Sequence, residues 1–262
     1  MRQISYTCYY ALRALVAHVD RPSAGGHSPS DLPLVPLTQA QIDMVETADP
    51  EQLEDVLPLT PLQEGLLFHA QFDEDAPDIY NVQLAVDVEG GLDAPRLREA
   101  AAGLLRRHAN LRAAFRQQGL DRTVQVVRRG VELPWRDVDL STLAPERRDA
   151  ELAAFMAEDR VHRFEVERPP LFRFTLVDLG DGRYRFVMTM HHILLDGWSA
   201  PLVLRELFVL YAGGDLPTPT PYREYLSWLG RQDRRTALAA WQHALDGDSE
   251  PTLIAPEGSD LR

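Results

Sequence analysis

The chain has 262 residues, of which 45% are hydrophobic and 26% are charged, the balance of an ordinary globular protein. Its formal net charge of −13 argues against nucleic acid as a partner, because binding to phosphates needs a basic surface. No run of about 18 consecutive apolar residues occurs, which argues against a membrane span. A single cysteine, Cys8, excludes an internal disulfide and fits a reducing compartment, so we expect a cytoplasmic location.

The first 46 residues combine one amphipathic segment with a stretch rich in Pro, Gly and Ser. Residues 8–19 place Leu12, Leu15 and Val16 at helical spacing, which predicts a short helix. The stretch RPSAGGHSPSDLPLVPL that follows predicts a linker, because each proline favours extended backbone in the residue before it. AGGHS within it resembles the serine site of phosphopantetheine carrier proteins, but no helical pattern follows it. We therefore favour a linker and expect the main domain to span residues 47–262.

A helix start is encoded in VLPLTPLQEGLLFH. Thr60 and Gln63 have the spacing of a capping box, and Pro61 falls at the first helical position. This predicts a helix from residue 61 with Leu62 and Leu66 on one face. Alternating apolar residues over 79–90 then predict a strand.

The middle of the chain predicts further helices and strands. Asp93 has the position of a helix N-cap before DAPRLREAAAGLLRRHA. Residues 110–118 and 122–130 predict two strands around a turn, and residues 145–162 predict another helix.

The stretch LFRFTLVDLGDGRYRFVMTMHH is typical of a hairpin, because two β-rich runs flank LGDGR. Helices are predicted over residues 199–212, 221–230 and 233–246. This mixed order predicts an α+β fold with a mixed, mostly antiparallel sheet flanked by helices.

HHILLDG, residues 191–197, holds the candidate chemistry. Adjacent strand residues point to opposite faces, so one histidine is a candidate for the reaction and the other for structure, and strand parity does not choose between them. Histidine suits general base catalysis because its ordinary pKa is about 6.5. The alternative is a buried histidine pair followed by a turn at Asp196 and Gly197. A metal site is disfavoured, because zinc usually needs at least three protein ligands and no third is evident.

HHILLDG also resembles the HHxxxDG motif of nonribosomal peptide synthetase condensation domains, which belong to the chloramphenicol acetyltransferase-like superfamily. Four more segments are similar to motifs of that family and occur in its order over about residues 50–256. They are LPLTPLQEGLLFH (57–69), RRHANLRAAF (106–115), RPPLFRFTL (168–176) and YREYLSWLGRQD (222–233).

The resemblance implies a role for each residue of the motif. His192 would act on the amine of an acceptor aminoacyl thioester, as a base or by positioning it. His191 and Asp196 would be structural, with Asp196 paired to Arg112 or, as the alternative, to Arg107. Gly197 would keep room for the backbone and the pantetheine arm.

The resemblance further implies that no metal and no directly bound cofactor are needed. Donor and acceptor carrier domains would deliver the substrates on phosphopantetheine arms, and an adenylation domain would have activated them. Two segments favour a condensation domain that accepts a D-configured donor. They are PLTPLQEGLLFH and the sequence WSA (residues 198–200), which follows Asp196 and Gly197. ALRALVAH and the linker are similar to the tail of an upstream epimerisation domain.

A condensation domain of this family has two lobes with the active site between them, and the 262 residues resemble the first lobe. We therefore expect the chain assayed alone to have little activity. Two alternatives stay open: a coenzyme A-dependent acyltransferase of the same superfamily, and a non-catalytic scaffold.

Overall fold

The computed structural model describes residues 2–19, 25–48, 53–72 and 78–247. The helices in these ranges are α1 (Arg2–Val19), α2 (Gln39–Ala48), α3 (Pro61–Phe72), α4 (Ala94–Arg107), α5 (Pro145–Val161), α6 (Ser199–Ala212), α7 (Tyr222–Gly230) and α8 (Arg234–Ala244). The strands are β1 (Leu53–Pro58), β2 (Asn81–Glu89), β3 (Ala113–Arg116), β4 (Val124–Arg128), β5 (Trp135–Asp139), β6 (Phe172–Gly180) and β7 (Arg183–His191). The described residues fall into two compact units, one ending at Leu226 and the other beginning at Ser227.

A four-stranded sheet in the order β2-β7-β6-β5 forms the centre of the first unit. Strand β7 is antiparallel to both β2 and β6, whereas β5 runs parallel to β6. The β6–β7 hairpin is confirmed, and its turn residues Asp181 and Gly182 both have positive φ angles, of 56° and 70°. Two-residue turns of this kind match the twist of the strands they join.

The two faces of this sheet pack against different helices. Phe174, Phe186 and Met188 pack with buried residues of α4 and α6. Val177 and Val187 form a separate cluster on the α5 side of the sheet. Successive residues of β7 therefore point to opposite faces of the sheet, and both faces carry apolar residues because helices cover both.

A second, three-stranded antiparallel sheet has the order β1-β4-β3. Leu32, Val35 and Ile42 pack against Val56 and Val126 of this sheet. The stretch predicted as a linker, residues 21–37, therefore ends in turns that bury Leu32, Val35 and Leu37, and helix α2 follows it where no helix was predicted. These residues belong to the packed core of the first unit.

Helix α3 begins as predicted, but it buries a different face. Thr60 N–H donates to Gln63 Oε1 at 3.0 Å, and Gln63 N–H donates to Thr60 Oγ1 at 3.2 Å. The buried residues are Gln63, Leu67 and Ala70, whereas Leu62 is 68% exposed. Leu62 therefore lies on the exposed side of the helix, because the core lies on the side that Gln63 faces.

The helix predicted over residues 8–19 is confirmed as the later part of α1. Its described side chains are all exposed, including Tyr6, Leu12 and Leu15. In the second unit, Asp233 caps α8 by accepting the Arg235 N–H at 2.9 Å.

The architecture is α+β, with mixed sheets flanked by helices, as expected. Among the helices described, none has the length and apolar character needed to cross a membrane.

Candidate active site

The candidate site is the turn that follows β7. Strand β7 ends at His191, and residues 192–194 turn the chain toward α6. Ile193 is buried with Leu67 and Phe115, while Leu195 is buried in the cluster between the four-stranded sheet and helices α4 and α6. Leu194 packs against both of these clusters and against a third one that includes β3 and β4. The three apolar residues of HHILLDG therefore anchor the turn on several sides.

The side chain of His191 is completely buried, with 0% exposure. The Ile193 N–H donates to His191 Nδ1 at 3.0 Å, so that nitrogen is an acceptor and carries no proton. The other nitrogen, Nε2, lies 3.0 Å from Asp78 Oδ2 and donates its proton to that carboxylate. Burial lowers the pKa of His191 despite the opposing effect of Asp78, so the ring stays neutral with its proton on Nε2.

The side chain of His192 is half-buried and has a different pattern of contacts. Its Nδ1 lies 2.7 Å from the carbonyl oxygen of Leu195. A carbonyl can only accept, so Nδ1 carries the proton, and Nε2 of the neutral ring is an acceptor. Within the described ranges, Nε2 has no hydrogen-bond partner. The backbone N–H of His192 donates to the Tyr80 carbonyl oxygen at 2.8 Å, which joins the turn to the start of β2.

Asp196 caps the start of α6. Its Oδ1 accepts the backbone N–H of Ser199 at 2.7 Å and that of Trp198 at 3.2 Å. Hydrogen bonds from the Ser199 side chain and backbone hold the pKa of Asp196 below its ordinary value. A carboxylate at a helix start satisfies N–H groups that have no partner within the helix.

The predicted ion pair between Asp196 and Arg112 is wrong, as is its alternative with Arg107. Arg112 binds the carboxylate of Glu54 and donates from Nε to the Leu105 carbonyl oxygen at 2.8 Å. Arg107 Nε instead donates to Glu206 at 2.9 Å. Each arginine has a nearer carboxylate, whereas Asp196 is held by the helix that follows it.

Gly197 borders open space. A Cβ added there would meet no atom within 4 Å, so the packing of the described residues does not require glycine at this position. Trp198 beside it is 87% exposed.

The structure also shows two buried groups that hydrogen-bond to the turn and that the sequence did not reveal. Gln63 Nε2 donates to the Ile193 carbonyl oxygen at 3.0 Å, and Gln63 in turn contacts Gln125. Asp78 is the second such group. Both lie more than 100 residues before the turn, so spacing along the chain gives no sign of them. The described part of the chain holds no group of three or more His, Cys, Asp or Glu residues arranged to bind a metal ion.

Comparison with known proteins gives the same assignment as the motifs. A family model described as "Condensation domain" matches residues 53–260. One protein of the linear gramicidin synthase of Brevibacillus parabrevis is 44% identical over 250 residues, which cover 93% of this chain and 5% of that protein. A second protein of the same synthase is 39% identical over 261 residues, covering 97% of this chain and 3% of that protein.

A solved structure, a variant of the starter condensation domain of the rhizomide synthetase RzmA, superposes on the chain with a TM-score of 0.66 at 21% identity. The match covers 77% of this chain and 50% of that one. At this identity the similarity shows the fold, which is chloramphenicol acetyltransferase-like. With the family match over residues 53–260, the chain belongs to the condensation domains of nonribosomal peptide synthetases.

Proposed function

We propose that this chain is the first lobe of a condensation domain in which His192 assists attack by an acceptor amine on a donor thioester. The observation that carries the proposal is the hydrogen bond from His192 Nδ1–H to the Leu195 carbonyl oxygen. This bond places the proton of the neutral ring on Nδ1 and leaves Nε2 as the acceptor, which is the tautomer required to bind or remove a proton of the amine.

In the proposed reaction, the amine nitrogen of the acceptor attacks the thioester carbonyl carbon of the donor. A C–N bond forms, the C–S bond breaks, and the donor's pantetheine sulfur leaves and takes up a proton. His192 Nε2 accepts a proton from the attacking nitrogen or holds the amine in line for attack. Hydrogen-bond reach to Nε2 is the geometric requirement of either role.

This proposal is tested by replacing His192 with Ala in the protein that carries this chain, supplied with loaded donor and acceptor carrier domains. We expect product on the acceptor carrier to fall about 100-fold or more, the range that general base catalysis supplies. His162→Ala is the matched control, because His162 is an exposed histidine of the same unit. Undiminished turnover by the His192→Ala variant would refute the assignment.

The proposed partners are donor and acceptor carrier domains that present substrates on phosphopantetheine arms, with an adjacent adenylation domain and no cofactor bound to the lobe itself. The open space at Gly197 is consistent with an arm that passes close to the backbone there. A cytoplasmic location fits the single cysteine.

We further propose that the donor is D-configured and that residues 1–46 include the tail of an upstream epimerisation domain. The motif PLTPLQEGLLFH and the WSA after Gly197 support the donor assignment. A match over 97% of the chain to a gramicidin synthase protein must include most of residues 1–46, which supports their origin in the same type of protein.

The donor configuration is tested by loading the donor carrier with D- or L-configured peptide of the same sequence. We expect faster product formation from the D-configured donor, and equal rates or an L preference would contradict the subtype. An acyl-coenzyme A donor in a parallel assay separates the coenzyme A-dependent alternative, and absence of product from every donor would favour a scaffold.

A further inference from the structure

We propose that Asp78 is a positioning residue for His192, a role that rests on the proposed function of that histidine. Asp78 lies just before β2, and its carboxylate is connected to both sides of the histidine through hydrogen bonds. Nothing in the HHILLDG motif points to it, because 113 residues separate Asp78 from His191.

The first connection runs through the ring of His191. Asp78 Oδ2 accepts the Nε2–H of His191 at 3.0 Å, which leaves His191 Nδ1 as the acceptor for the Ile193 N–H. This bond holds the backbone one residue after His192. Asp78 thereby fixes the turn that brings the Leu195 carbonyl oxygen to His192 Nδ1.

The second connection runs through the backbone of Tyr80. Asp78 Oδ1 accepts the Tyr80 N–H at 2.9 Å, and the Tyr80 carbonyl oxygen accepts the His192 N–H at 2.8 Å. One carboxylate therefore holds the His192 backbone through Tyr80. It also holds, through the turn, the Leu195 carbonyl oxygen that accepts the ring proton of His192.

The surroundings make these bonds strong. The side chains of Asp78 and His191 are 3% and 0% exposed, so water does not compete for either oxygen. A hydrogen bond to an ionised acceptor contributes about twice as much as one between neutral groups. Rigid placement matters here because a displacement of about 1 Å in a catalytic group can cost about 100-fold in rate.

Asp78→Asn separates this role from simple space filling. The amide has nearly the same shape but offers one acceptor and one donor. If its oxygen accepts the Tyr80 N–H, its NH₂ faces His191 Nε2, and the ring must move its proton to Nδ1 and lose the Ile193 bond. In the flipped orientation, the NH₂ faces the Tyr80 N–H, and two donors oppose each other.

The experiment measures kcat and KM for the acceptor in the protein that carries this chain, together with its thermal unfolding. For Asp78→Asn we expect kcat to fall about 10- to 100-fold with KM for the acceptor carrier within about twofold. Asp55→Asn is the control, because Asp55 is also a buried carboxylate but belongs to β1 and pairs with Arg223. It should leave kcat unchanged.

The double variant shows whether Asp78 acts through His192. In the His192→Ala background, Asp78→Asn should cause no further loss of turnover, because effects through one group are not additive. An additional tenfold loss would overturn the inference. So would an Asp78→Asn variant with the kcat of the unmodified protein.

Folding failure is also informative. If Asp78→Asn does not fold at the assay temperature, Asp78→Ser is judged by the same criteria. If neither folds while Asp55→Asn does, Asp78 serves stability alone and the inference fails. The proposed function fails separately, when His192→Ala itself retains full turnover.

Discussion

His191 and His192 are adjacent and chemically identical, yet they occupy different environments because β7 ends between them. His191 is the last residue of the strand, fully buried, and both of its ring nitrogens are hydrogen-bonded, one to Asp78 and one to Ile193. His192 lies in the turn. Of its two ring nitrogens, only Nδ1 has a hydrogen-bond partner among the described residues. At the residue scale, the hydrogen bonds of the neighbouring backbone distinguish a structural histidine from one that can accept a proton.

Asp196 is a second residue whose role follows from local backbone geometry. As a cap of α6, it should be replaceable by Asn with little loss of stability, because Asn accepts the same N–H groups. Asp196→Ala should lower the free energy of unfolding by about 1 kcal/mol, the usual contribution of a helix cap. Chemical denaturation of the two variants measures the difference.

The outcome that would contradict the cap is a loss in Asp196→Asn as large as in Asp196→Ala. That result would show that the charge itself has a partner beyond the described residues. Arg112→Lys is a useful comparison, because Arg112 binds Glu54 and should be sensitive independently of Asp196.

At the element scale, the sequence predicted elements with strong local signals and missed those without them. The capping box of α3, the Asp93 cap of α4 and the Gly-containing turn of the β6–β7 hairpin are all present. Strands β1 and β5 were not predicted, because LEDVLP and WRDVD carry charged residues that weaken the alternation. Helix α2 was missed because it has one turn of apolar spacing, between Ile42 and Val45, after a proline-rich stretch.

At the scale of the whole molecule, the turn after β7 lies where separate hydrophobic clusters meet. Leu194 contacts clusters from the four-stranded sheet, from the three-stranded sheet and from α3. These clusters thus hold the turn of the candidate site firmly. Catalysis of amide formation also needs groups on the other side of the reactants and exclusion of water.

We therefore expect the 262 residues, assayed by themselves with loaded carriers, to form little product. The chain aligns with 50% of a solved condensation-domain chain, which is consistent with one lobe of two. Adding a separately produced second lobe should restore measurable product, and it should not do so with a His192→Ala first lobe. Full turnover by the 262 residues alone would contradict this expectation.

The sequence by itself determined the family, the α+β class, most helices and the motif that holds the candidate site. These properties depend on periodicity, caps and short motifs, which are encoded within a few neighbouring residues. Tertiary structure alone decided the partners of Arg112, the capping role of Asp196, the burial of Leu32, Val35 and Ile42 and the contact of Asp78 with His191. Those properties depend on residues brought together across long separations, and local patterns carry no information about which distant side chain lies nearest.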